Sequence, residues 1–291
     1  MEKNQKNKKQ KLTKFHSDKM NPVSSYQLVD SSTPTGGFAH SNTVEVAHQL
    51  NFIDNSVSST HTLVSHVWEV MLQSCTSLLP FLVSSCTLFQ NYEEKIQSHD
   101  SATIDYFLDE WEKLDFNLNA TLTSHVSRRA SVVQGSGMLR AYIQIFPHIA
   151  IPLKRIKKRV LEASTSGKFN SFYSFCVSGH AATCFGAVCG LLGMDIKTCS
   201  SMFLYTSARD MINAAVRMNL VGPLEAGRFI NNICCRLDVL VDNMICDHDT
   251  DNHQIESTEN NLDPSSAHQI CPLLEILANA HDRLYTRLFN S

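Results

Sequence analysis

Between Gly37 and Gly135 this chain contains no glycine, and its 291 residues hold only 11. That gap constrains the fold more than any other feature. An all-β sandwich or barrel turns about every 8–12 residues, and its turns draw on glycine for backbone conformations that other residues avoid. Proline, the other common turn residue, occurs only 8 times. A dinucleotide-binding or P-loop domain needs glycine at its first strand-to-helix turn, and neither GxGxxG nor GxxxxGK[ST] occurs. What remains is an all-α chain without a phosphate-cradling loop.

Apolar periodicity agrees. Leu63, Val67, Val70 and Met71 form one helical stripe, and Ile104, Phe107, Leu108, Trp111 and Leu114 form a second. Asn117 to Phe146 contains no proline and reads as one long helix. Gly135 and Gly137 interrupt it, where another backbone packs close or the helix bends, and Pro147 and Pro152 end it. Gly186 and Gly190 lie one turn apart, with Ala182 a turn earlier, which gives a smooth face for close packing. A helix follows from Ile196 to Asn219. Gly222-Pro223 then starts another, with proline at its first position. Along it Ala226, Ile230, Ile233, Leu237, Leu240 and Met244 alternate spacings of four and three. This seam faces either the core or a second subunit. Asn42 with Glu45 reads as a capping box, and Asn51 as a left-handed helix stop. Pro272 to Phe289 reads as an amphipathic helix through Leu274, Leu277, His281, Leu284 and Leu288.

The reading is therefore a single-domain helical bundle over residues 25–291. A disordered basic tail precedes it at 1–24, and 247–270 form a flexible polar insert. Seven lysines in the first twenty residues leave a nuclear-import or acidic-surface role open for that tail. Net charge is −3, which speaks against a globally basic nucleic-acid binder. The charged fraction of 18% is low and favours a surface partly covered by partners. Ten cysteines without a CxxC pair or a signal peptide point to free thiols in a reducing, cytoplasmic compartment. The longest uncharged apolar run, Ala181 to Met194, is too short to span a bilayer, so no membrane is expected.

Candidate chemistry is sparse. Cys246, Asp247, His248, Asp249, Asp251 and His253 offer atoms that zinc or nickel accepts, but their spacing matches no closed metal site. They read as a polar linker first and a weak metal binder second. His61 and His66 are five apart, one too many to share a helix face, and no HExxH or GxSxG occurs. Cys234-Cys235 read as packing residues, and His180 as a capping residue at a helix start. The arginines differ. Arg128-Arg129 and Arg209/Asp210/Arg217 sit in long helices otherwise poor in charge. They serve either structural pairing or partner contact. No catalytic set is visible, so the residues alone describe a helical interaction protein rather than an enzyme.

Five segments in order sharpen this: DSSTPTGGFAHSNTVEVA (30–47), HVSRRASVVQGSGMLR (125–140), HAATCFGAVCGLLGMD (180–195), SARDMINAAVRMNLVGPLEAGR (207–228) and AHDRLYTRLFNS (280–291). Together they resemble the urease accessory protein UreF family, over roughly 26–245 and 270–291. The resemblance implies an all-α protein that dimerises and is not an enzyme. Such proteins act as chaperones in urease maturation. They bridge the GTPase UreG and the accessory protein UreD (also UreH), and the assembly docks on the urease apoprotein for GTP-dependent nickel insertion. No resident cofactor is implied, only nickel in transit, for which an interior route has been proposed in the family. Oxygen or water ligands that release quickly would suit such transit better than a closed cysteine cage.

Residue by residue, Pro34, Gly36, Gly37, Phe38, Ser41 and Glu45 match the family's N-terminal motif. Arg128, Ala130, Ser131, Gln134 and Gly135 match its central helix. Arg217, Gly222, Pro223, Leu224 and Glu225 match the late segment, with Arg217 at the position of a basic residue implicated in the GTPase contact. Tyr285, Arg287, Leu288 and Phe289 match a tail that orders when UreD binds. Arg217, Glu225, Arg128, Gln134, Tyr285, Arg287 and Phe289 are thus the candidate partner-binding residues, and none is assigned as catalytic or as a metal ligand. The lysine-rich extension, the polar insert and Asn51 in place of a common glycine depart from the pattern. The first two indicate a eukaryotic member. Regulation of GTP hydrolysis, or nickel binding by the chain itself through Cys246, His248 and His253, are the alternative functions.

Overall fold

The computed structural model describes residues 22–53, 59–90, 92, 101–165, 177–246 and 262–291. Within these the chain is all-α, with eleven α-helices and no strand. They are α1 (Pro22–Val29), α2 (Val44–Gln49), α3 (Ser59–Ser77), α4 (Leu79–Gln90), α5 (Ser101–Thr121), α6 (His125–Ile145), α7 (Ala150–Thr165), α8 (Ala181–Leu191), α9 (Ile196–Arg217), α10 (Pro223–Cys246) and α11 (Pro272–Ala280). Residues 1–21 of the basic tail and residues 247–261 of the polar insert, with their Asp and His candidates, lie outside the described residues, whereas 22–24 of the expected tail belong to α1.

Helix α8 is the centre of the bundle. Every one of its residues is buried, and it packs chiefly on α4 and then on α6. The small-residue face explains the closeness. A Cβ added at Gly186 would lie 2.3 Å from the carbonyl oxygen of Leu82, and one at Gly190 2.3 Å from that of Cys86. Helices this near each other bring backbone against backbone, and only glycine leaves room. The same holds for Gly135, where a Cβ would meet the carbonyl of Gly179 at 2.1 Å. Helix α6 therefore runs unbroken through Gly135 and Gly137. The interruption falls earlier, at Leu122–Ser124, so the single expected helix from 117 to 146 is in fact two. Ser124 causes the restart: its backbone is extended, and its hydroxyl accepts the N–H of Ser127 as an N-cap.

Two other boundaries move for physical reasons. Pro152 ends nothing; it sits in the first turn of α7, where its missing N–H costs no helical bond. The expected helix from Pro272 to Phe289 stops at Ala280, passes through a 3-10 turn at His281–Arg283, and continues as irregular chain. Part of the expected linker is placed as well. Pro264–Ser266 forms a 3-10 turn, His268 N–H donates to the carbonyl of Thr76, and the side-chain oxygen of Gln73 accepts the N–H groups of Ile270 and Cys271. The α10 seam packs on α9, with Ala226, Ile233 and Leu237 buried and Ile230, Leu240 and Met244 partly so. It faces the core. Cys234 on the same helix is half-buried and Cys235 exposed, so they are not the core packing pair expected.

Candidate functional site

The first motif forms from a turn. Gly36 adopts a left-handed conformation (φ 87°), which sends Gly37–Ala39 into a 3-10 turn against the side of α9. Gly37 packs so closely that a Cβ there would come within 2.1 Å of Asp210 Oδ2. Asp210 is paired with Arg209 at 2.7 Å, and Arg209 also donates to the carbonyl of Val29. Burial raises the Asp210 carboxyl against the opposing pull of Arg209.

The expected capping box at Asn42 does not form. Thr43 is the N-cap residue of α2 and makes no side-chain cap, while Ser41 Oγ accepts the N–H of Glu45. Asn51 is left-handed (φ 61°) just past the helix end, as its residue type implied. Glu45 does something that the spacing did not suggest. It is 2% exposed, and its two carboxylate oxygens accept the N–H of Leu288 at 2.6 Å, the N–H of Phe289 at 3.2 Å and His281 Nε2 at 3.3 Å. A carboxylate on the second helix thus clasps the end of the chain.

Further bonds hold the tail in the same groove. Ser41 donates from both N–H and hydroxyl to the carbonyl of Ser291, Asn290 N–H donates to Ala39, and Gln49 donates to Thr286. His40 Nδ1 meets Ser291 Oγ at 2.7 Å. Burial, then the positive fields of His281 and Arg129, lower the His40 pKa to about 4, so it is neutral at neutral pH. Asp282 gathers three side chains: Arg129 at 2.8 Å, His125 at 2.9 Å and Arg287 at 3.1 Å. Hydrogen bonds from Arg129 and then His125 hold its carboxyl well below the usual carboxylate range.

The N-terminal motif, the end of α9 and the tail therefore share one face. Arg217 is exposed, donates to the carbonyl of Phe38 and lies 4.2 Å over the ring of Phe289. Of the other motif residues, Phe38, Leu224, Tyr285 and Leu288 are 66%, 94%, 102% and 63% exposed. Single exposed apolar residues are ordinary, but an exposed arginine held between Phe38 and Phe289 has the residue types enriched at protein contact surfaces. Phe289 is buried under Arg217, and Arg287 faces Asp282. Glu225 pairs with Arg228 at 3.5 Å.

Neither Arg128 nor Gln134 makes a hydrogen bond or ion pair to that face among the described residues. Of the two adjacent arginines, Arg129 is the paired one. Arg128 is half-buried, makes no ion pair among the described residues, and has an Nε without a hydrogen-bond partner. Gln134 lines a partly open cavity of about 170 Å³ together with Thr35, Ser74, Ser127, Ser131 and Asp210. A cleft of about 370 Å³ lies beside it, walled by Ser31, Thr33, Phe38, Asp210, Asn213 and Arg217. Among the described residues no cluster of three His, Cys, Asp or Glu side chains is placed to hold a metal.

One buried residue escaped the sequence reading. Asp115 of α5 is fully buried and accepts the N–H groups of Ser178, Gly179 and His180, each at 2.8 Å, and the hydroxyl of Thr183 at 2.6 Å. It caps α8 from another helix. His180 occupies the N-cap position without capping, and instead meets Asn119 at 3.2 Å. The signal was an acid four residues after Trp111 on an otherwise apolar face.

Comparison with known proteins places this architecture. The UreF family model matches residues 62–233. Urease accessory protein F of Arabidopsis thaliana is 35% identical over 268 residues, 92% of both chains. Urease accessory protein F of Oryza sativa subsp. indica is 32% identical over 91% of this chain and 84% of its own length. Urease accessory protein 6 of Cryptococcus neoformans is 24% identical over 91% of this chain and 96% of its own. With a family match across more than half its length and plant and fungal relatives along nearly all of it, the chain belongs to the UreF family of urease accessory proteins.

Proposed function

We propose that this protein is a cytoplasmic urease maturation factor that works as a non-catalytic scaffold. It joins the GTPase UreG to UreD/UreH on the urease apoprotein during GTP-dependent nickel insertion, and it acts as a homodimer. The observation that carries this reading is the junction at exposed Arg217, which ties the exposed Phe38 of the N-terminal motif to Phe289 of the tail. A scaffold needs a firm surface with a few aromatic and arginine anchors. Glu45 and Ser41 hold the tail against the body, so tail and N-terminal motif form parts of one surface. Nickel is cargo in this reading. The hydroxyl, amide and carboxylate oxygens around the partly open cavity suit a hydrated divalent ion that must be released again.

The test is Arg217→Ala with UreG and UreD co-expressed. Recruitment of UreG falls at least tenfold, as for loss of an interface anchor of about 1.4 kcal/mol or more, while thermal stability and UreD binding persist. Normal recruitment and full urease activation would remove Arg217 from the contact. Direct nickel binding through Cys246, His248 and His253 is a separate reading. The Cys246 side chain and the two histidines lie outside the described residues. Calorimetry on a deletion of 247–253 decides it, since unchanged nickel uptake excludes that segment.

A further inference from the structure

Helix α7 carries a feature that the scaffold reading does not use. Ile151, Lys154, Lys158 and Leu161 recur at spacings of three, four and three, which places them along one line of the helix. That line faces outward: Ile151 is 68% exposed, Leu161 60%, and the Lys158 side chain 74%. Lys154 and Lys157 are exposed and make no ion pair among the described residues, and Lys158 reaches only the exposed Glu162, at 3.6 Å. One position on, Arg159 points to the other side and meets Asp105, Asp109 and Glu112 of α5 at 3.0–3.3 Å. The fold thus pairs Arg159 with three acids, leaves Lys154 and Lys157 without an ion pair among the described residues, and gives Lys158 only an exposed, long one.

We propose that the outer face of α7 docks an acidic segment of a partner protein, one that sets glutamates or aspartates between apolar residues. Ile151 and Leu161 stand about 15 Å apart along the helix axis, with the lysines between them. The face therefore reads apolar, basic, apolar, and a matching segment reads apolar, acidic, apolar. A lipid surface fits less well. A membrane-lying helix keeps its cations at the edges of its apolar face. Here the ammonium groups share the centre line with the isoleucine and leucine, so sinking one would bury the other. Nucleic acid would use the lysines but leave both large apolar ends in water. A single helix face supports a weak, salt-sensitive contact.

The experiment uses the full chain and a fluorescein-labelled peptide with glutamates between leucine flanks, read by anisotropy at low and high salt. The wild type binds at low salt and loses the peptide at high salt. K154E/K157E/K158E weakens binding about tenfold or more, Ile151→Ser with Leu161→Ser also weakens it, and K154R/K157R/K158R retains it. A peptide with lysines in place of the glutamates does not bind. Circular dichroism confirms that each variant is folded. Equal binding by wild type and the charge-reversed variant overturns the proposal. So does binding to phosphatidylserine vesicles with none to the peptide. Wild-type silence that is relieved by neutralising the acids of 247–261 overturns it as well, and assigns the face to the chain's own insert.

Discussion

Replacing Glu45 by glutamine should loosen the C-terminal tail and leave the helical bundle standing. The side chain keeps its size, but one acceptor oxygen becomes an NH2 donor. In the native protein the two oxygens receive Leu288 N–H at 2.6 Å, Phe289 N–H at 3.2 Å and His281 Nε2 at 3.3 Å, all in a buried setting. A hydrogen bond to a charged acceptor contributes roughly 1.5–3 kcal/mol. Glutamine forfeits at least one such bond, weakens the others and turns a donor toward a donor, a total of about 2–4 kcal/mol. Beyond Asp282, which α6 holds through Arg129 and His125, the tail meets the body through α2, the turn before it and the end of α9, so its last residues can leave without opening the core around α8. Hydrogen exchange of Leu288 and Phe289 should therefore accelerate about 30- to 1000-fold, while amides of α8 keep their protection. Carboxypeptidase should trim the variant first, and Glu45→Ala should act in the same direction. Unchanged exchange at Leu288 and Phe289 in folded Glu45→Gln would refute the argument that this carboxylate holds the tail.

Three further outcomes follow from the geometry. Stability should fall as pH drops from about 6.5 toward 4: burial lowers His40 and His66 to about 4 in the folded state, so only the unfolded chain takes up their protons across that range. Thermal melts should show a decline of up to about 3 kcal/mol for each histidine, flattened in His40→Asn with His66→Gln; an undiminished slope in that variant would assign it to other groups. Asp115→Ala should cost about 3–5 kcal/mol, because three N–H groups and the Thr183 hydroxyl lose a buried charged acceptor, and urea denaturation measures it. Gly135→Ala should destabilise by more than about 2 kcal/mol, since its Cβ would meet a carbonyl at 2.1 Å, whereas Gly227→Ala on α10 has open space and should stabilise by roughly 0.5–1 kcal/mol; the two melting temperatures should move in opposite directions.

The fold class was legible because helical periodicity is a local property. The stripe through Phe107, Leu108 and Trp111 is buried as its spacing implied, and so are Ala226, Ile233 and Leu237 on α10. The site was legible only in part. The motif residues Phe38, Arg217 and Phe289 stood out by resemblance, but their convergence depends on positions as far apart as Glu45 and Phe289. Neither turn chemistry nor hydrophobic spacing records such a partner.

By itself the sequence determined that the chain is helical, where its few glycines stand, and to which family it belongs. Those conclusions rest on backbone conformation and on facing within one element, which neighbouring residues decide. Only the tertiary structure decided that Gly135 marks a close approach rather than a break, that Arg129 and not Arg128 is paired, that Asp115 starts α8 and that Glu45 ends the chain. Each is the satisfaction of a buried polar group, or the exclusion of a side chain, by a residue distant in sequence. A buried donor or charge must find a partner somewhere, and packing alone determines which one lies within reach.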